Sequence, residues 1–148
     1  MELEVSRIRE LTKERRHEEA LGALAPLMSQ FPENRDVLYL QAMNLRFLNR
    51  FDEALGVLER LQQLHPRYSR LYQERGHCYV ALRDAPRAID AFLRGVNINP
   101  ALPASWSMLQ GLYRMTGDEK NAATAAEHVA TLQKLPPPIV QAPCDNPS

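Results

Sequence analysis

Apolar residues recur along this chain at helical spacing, in short stripes separated by polar breaks. Leu38, Ala42 and Leu45 follow i, i+4, i+7, and beyond the break at Asn49–Arg50 the stripe resumes as Ala54, Leu55, Leu58 and Leu61. Comparable breaks fall at Arg83–Asp84 and Thr116–Gly117–Asp118. Each predicts a tight turn between two antiparallel helices. Asp84 and Asp118 suit the cap of the helix that follows, because a short carboxylate accepts the orphan amide bonds of a first turn. Pro86 falls inside such a first turn, where its missing N–H leaves no bond unmade.

The stripes repeat at a fixed step. Pro32, Pro66 and Pro100 stand 34 residues apart, and Ala20, Ala54, Ala88 and Ala122 keep the same interval. Two further columns run in phase: Leu11, Leu45, Tyr79, Tyr113 and Leu24, Leu58, Phe92, Ala126. The prolines close each second helix, since the ring clashes with the preceding turn. A single helix pair cannot bury both of its stripes, so neighbouring pairs are expected to stack and share one core. Small residues at Ala42, Gly76 and the alanine column permit close helix approach, and the Tyr and Leu columns fill the space beside them. Pro26, inside the second helix of the first unit, is expected to kink or shorten it.

These columns resemble the tetratricopeptide repeat. Unit three carries the resemblance best, through Tyr72, Gly76, Tyr79, Ala88, Phe92 and Pro100; unit four supplies Trp106, Leu109, Tyr113, Gly117 and Ala122. Unit two reads Leu38, Ala42, Leu45, Phe51, Ala54, Leu58, Pro66. Unit one departs, with Glu4, Arg7 and Ile8 at the signature positions, but keeps Leu11, Ala20, Leu24 and Pro32. The resemblance implies an all-α, right-handed solenoid of four helix–turn–helix units at 1–34, 35–68, 69–102 and 103–134, the last reaching 136 in a strict count. Residues 135–148, with five prolines and no helical period, are expected to be an extended or disordered tail.

Composition narrows the function classes. Lys plus Arg and Asp plus Glu are each 18 in 148 residues, so no cationic excess argues for nucleic acid or an anionic membrane surface. No apolar run is long enough to span a bilayer, and the charged start MELEVSRIRE has no secretory core, so a cytoplasmic location is expected. Cys78 and Cys144 cannot build a disulfide framework. His17, His65, His77 and His128 fall one per unit with no ligand spacing between them, so neither metal nor cofactor is expected. His77 and Cys78, being adjacent on a helix, point about 100° apart, which disfavours a nucleophilic pair. Phosphate loops, nucleophile elbows and zincin motifs are absent, and the chain reads as non-catalytic.

In the resembled family the first helix of each unit lines a concave groove that binds a protein or peptide. The resemblance then implies groove residues Arg9 and Lys13 in unit one, Tyr39, Met43, Arg46 and Phe47 in unit two, Arg70, Gln73 and His77 in unit three, and Arg114 in unit four. Tyr39, Met43 and Phe47 share one helix face, either as an aromatic floor ringed by guanidinium groups or as core against the next unit. At the positions where relatives clamp a chaperone's C-terminal carboxylate stand Val5, Arg9, Leu40, Arg70 and Glu74, of which Arg70 alone matches, so that ligand is not expected. The last helix, roughly 118–134, shows Ala122, Ala125, Ala126, Val129 and Leu132 on one stripe with no capping helix after it. Further chain, or failing that a second copy in a homodimer, is expected to cover it, unless a face this small tolerates exposure. The repeat style also resembles the arms of bacterial repeat-containing sulfotransferases, which implies an alternative role as the substrate-positioning or oligomerisation arm of a larger enzyme.

Overall fold

The second helices of all four units start one 34-residue step apart, and so do the first helices from unit two onward. A computed structural model describes residues 1–134; the proline-rich segment 135–148, with Cys144, lies outside the described residues. The first helices are α1 (Glu2–Lys13), α3 (Arg35–Phe47), α5 (Ser69–Ala81) and α7 (Pro103–Met115). The second helices are α2 (His17–Gln30), α4 (Phe51–Leu64), α6 (Ala85–Ile98) and α8 (Glu119–Lys134). Each helix packs on its sequence neighbours, and α1 on α3 and α3 on α5 touch directly. The fold is an all-α solenoid.

The turns within the four units are built alike. Arg15, Asn49, Arg83 and Gly117 take the left-handed conformation, with φ of 61°, 62°, 61° and 82°. The next amide bonds back five residues in every case: Arg16 to Leu11, Arg50 to Leu45 and Asp84 to Tyr79 at 2.9 Å, and Asp118 to Tyr113 at 2.8 Å. This is the Schellman closure, in which a left-handed residue lets the chain satisfy carbonyls the helix end would leave open. The acceptors are the Leu/Tyr column itself, so its phase marks a backbone bond as well as a packed side chain. Asp84 and Asp118 cap α6 and α8 by accepting from the amides of Arg87 and Asn121, as expected, and Asn34 does the same for α3 through Val37. The second link between units is aromatic. Tyr72 Oη and Trp106 Nε1 each donate to the carbonyl of the preceding unit's closing proline, Pro66 and Pro100, at 2.8 Å.

The alanine column is buried throughout, and the core runs as overlapping clusters from unit to unit. Within a unit, residue size is traded across the helix crossing. Unit three sets the largest side chain, Phe92, against no side chain at all: a Cβ built on Gly76 would stand 2.6 Å from the Phe92 ring. Unit two sets Ala42 in the same phase with Leu58, and unit one sets Ile8 with Leu24, all fully buried.

Pro26 does not shorten its helix: α2 has 14 residues, as α4 and α6 do. Pro26 and Gly22 both lie on the exposed face, so the carbonyl that loses its donor is left to water rather than to the core.

Two stability outcomes follow from these crossings and turns. Gly76→Ala should cost about 1–2 kcal/mol in urea unfolding, overpacking outweighing the roughly 1 kcal/mol of helix propensity gained. Adding Phe92→Leu should return part of that loss, because it recreates the Ala42–Leu58 pairing of unit two. In the turns, Gly117→Ala should cost about 1 kcal/mol, whereas Arg83→Gly should raise the melting temperature by relieving a left-handed arginine.

Candidate functional site

The wall formed by α1, α3, α5 and α7 is stitched across units by polar contacts. Asn44, fully buried on α3, donates to the Leu40 carbonyl at 2.8 Å and to Thr12 Oγ1 at 3.0 Å. Its Oδ1 lies 2.8 Å from His17 Nδ1, and since an amide oxygen can only accept, that nitrogen carries the proton. The His17 ring stacks on Phe47 at 4.7 Å and 10°, and the Arg46 guanidinium stands 4.4 Å from the same ring centre. Phe47 still keeps 48% of its surface exposed.

Arg46 Nε and Nη2 donate to the two oxygens of Glu74, the latter at 3.1 Å, and Glu74 is buried. On the next boundary Ser105 Oγ donates to Gln73 Oε1 at 3.0 Å. Nearer the starts of the helices, Tyr39 and Tyr68 meet edge to face at 5.5 Å and 80°, with the Arg35 guanidinium 4.6 Å over the Tyr68 ring. Asp36 pairs with Arg35 at 3.3 Å and with Arg9 at 3.9 Å. Burial pushes both phenols above the usual tyrosine range, while the guanidinium of Arg70 opposes the shift at each.

Towards unit four the wall turns small and apolar. Gly111 is open to solvent, with nothing within 4 Å of an added Cβ. Val80, Leu112 and the 70%-exposed Met115, with Arg83, Asp84 and Ala85, line a cavity of ≈ 370 Å³.

The residues expected in the groove divide accordingly. Arg9, Lys13, Phe47, Arg70 and Arg114 are exposed along the wall, and Lys13 pairs with Glu10, at 3.5 Å. Tyr39 and Met43 are half-buried, and Tyr39 packs against the core. Arg46, Gln73 and His77 are spent on the structure. Arg46 is tied to Glu74, Gln73 to Ser105, and His77 packs its ring edge-on to Phe92 at 5.3 Å, where burial lowers its pKa. The stripe on α8 needs a similar correction: Ala122 and Ala125 are buried inside the chain, which leaves Ala126, Val129 and Leu132, each half-buried, for any outside contact.

The roles of Asn44, Tyr68 and Ser105 and the pairing of Glu74 with Arg46 were not expected. Cys78 is fully buried with its thiol pushed up to about 12 by burial, which removes it as a nucleophile. Among the described residues no group of three or more His, Cys, Asp or Glu could hold a metal ion, and no helix is long and apolar enough to cross a membrane.

A family model described as tetratricopeptide repeat matches residues 36–68. Two solved structures share the fold: MamA from Desulfovibrio magneticus, at TM-score 0.77, 20% identity and 90% of this chain against 75% of that one; and a thermophilic TPR protein from Thermus thermophilus, at 0.76, 22%, 86% and 71%. The chain folds as a tetratricopeptide-repeat solenoid. A curated relative, the Hsp70-Hsp90 organizing protein of Triticum aestivum, is 27% identical over 110 residues, which are 74% of this chain. The chain spans 18% of the length of that relative.

In this wall the Arg46–Glu74 pair can be tested alone. Glu74→Gln leaves a largely buried guanidinium facing a neutral amide and should lower stability by about 1–3 kcal/mol, discounted for the exposure Arg46 retains. Arg46→Met combined with Glu74→Gln should recover part of it in a double-mutant cycle read by urea denaturation.

Proposed function

We propose that this chain is a non-catalytic interaction scaffold whose wall of first helices captures an extended segment of a partner protein. The observation that carries the reading is Phe47: a large aromatic side chain contacts both His17 and Arg46 and still leaves nearly half its surface in solvent. Side chains pre-organised in this way lose little freedom on binding, which is how aromatic anchors come to dominate interfaces. The exposed cations Arg9, Lys13, Arg70 and Arg114 flank the anchor along the wall.

The kinship with the wheat chaperone organiser does not carry its ligand over. Of the clamp positions, Val5 and Leu40 are buried and the Glu74 carboxylate is occupied by Arg46. A chaperone tail is therefore not the segment proposed. The role of arm in a larger enzyme, such as a sulfotransferase, has no observation of its own to favour it.

Arg46→Ala is a poor probe of binding, because it strands the buried Glu74. Phe47→Ala and Gly111→Trp are better, since the first trims an exposed ring and the second adds bulk to open space. Peptides selected from a random display library on the whole chain should lose about tenfold or more in affinity for each variant, while both variants melt like the parent. Undiminished binding to both variants would exclude the wall as the site.

A further inference from the structure

We propose that copies of this chain join head to tail, the α1 face of one copy seating on the α7–α8 end of the next. That end is continuous with the junctions already inside the chain. Position three of each later unit is sealed by the unit before it: Val37, Leu71 and Ser105 are fully buried. Leu3 holds that position in unit one and is 85% exposed. Position ten repeats the contrast, with Asn44, Cys78 and Leu112 buried and Glu10 exposed. At the opposite end, Leu27, Leu61 and Gly95 are buried at one phase of the second helices, whereas Val129 at the same phase is half-buried. α1 therefore presents the face by which α3, α5 and α7 dock, and α7 with α8 presents the face that receives it.

The internal junctions also fix which positions meet. Position twelve reaches position ten of the next unit: Thr12 bonds Asn44, and Val80 lines one cavity with Leu112. Position seventeen reaches position thirteen, where His17 stacks on Phe47. Carried from one copy to the next, the same matches set Arg114 against Glu10 of the second copy and Glu119 against Lys13 of the second copy. Both pairs are of opposite charge. Arg114 and Glu119 form no ion pair among the described residues, and the Glu10–Lys13 pair is an exposed one that holds its partners weakly. Arg46, also at position twelve, reaches position six at Glu74; the second copy offers Ser6 there, whose hydroxyl also accepts. An unfavourable match falls at position eighteen. Glu18 lies near Arg50, so Lys120 would come near Arg16, whose charge Glu14 and Glu19 already hold.

The apolar part of the junction is small. Val37 packs with Leu24 and Leu27, so Leu3 would meet Ala126 and Val129. Association is accordingly reversible and salt-sensitive. Such a junction is heterologous and leaves a free end on each copy, so the assembly grows instead of closing as a dimer. The wall of first helices then runs on from copy to copy, and Arg114 is withdrawn from the groove there as Arg46 is inside the chain.

The test is sedimentation of the whole chain across a concentration series at low salt. The average mass should rise without levelling at a dimer, and should fall towards the monomer as salt is added. Glu10→Arg or Arg114→Glu alone should weaken association about tenfold or more, because each sets like charges across the junction. An equimolar mixture of the two variants should restore it, since every end then meets an opposite charge on the other variant. Leu3→Asp should also weaken association, without that rescue. All three side chains are exposed, so the variants should melt like the parent. A mass that stays monomeric at every concentration, the result expected if residues 135–148 cover α8 instead, would overturn the proposal. So would a mass that levels at the dimer, the mark of a symmetric pairing of α8 faces, or association that the variant mixture fails to restore. Peptide capture at Phe47 is read separately, so either proposal can fail without the other.

Discussion

The crossing of the two helices inside each unit is the constraint on which the rest depends. Two helices of 12 to 16 residues are too short to be stable alone, so each pair must come close enough to exclude water along its seam. The alanine column sets that distance, and the residues facing it fill what remains. Phe92 shows how tight the arrangement is, since its ring takes the volume that a methyl at Gly76 would need. The same crossing is filled by Ile8 with Leu24 and by Ala42 with Leu58. In unit four Gln110 and Ala126 stand in those phases and both stay half-buried, so the last seam is the least filled of the four.

Helices, turns and their common step were legible in the sequence because each unit repeats the same local demands. A left-handed residue ends every first helix, a side-chain cap opens the second in units three and four, and a proline follows it in units one to three. What was not legible is any contact joining residues that the repeat does not fix. Arg46 meets Glu74 across 28 positions, and Asn44 meets Thr12 across 32. Neither interval is the repeat step, so no column lines the partners up. Arg46 therefore read as a free groove cation, although its charge is spent inside the wall. The stripe on α8 misled for a related reason: an apolar face looks alike in sequence whether it meets α7 or a partner.

Function in this architecture comes from the departures from the repeat. A unit with apolar residues at every stripe phase would stack equally well and present the same wall in each copy. Here buried Asn44 orients His17 against Phe47, while buried Glu74 fixes Arg46 against the same ring. Two buried polar residues, each costly unless satisfied, together place the groups that contact one exposed aromatic side chain. Their satisfaction requires neighbouring units to be stacked, because Asn44 and Thr12, like Arg46 and Glu74, belong to different units. The anchor is thus formed by the solenoid and not by any single repeat. An isolated helix pair would fold poorly and would also lack the contacts around Phe47, so stacking, and not the repeat alone, creates the candidate site.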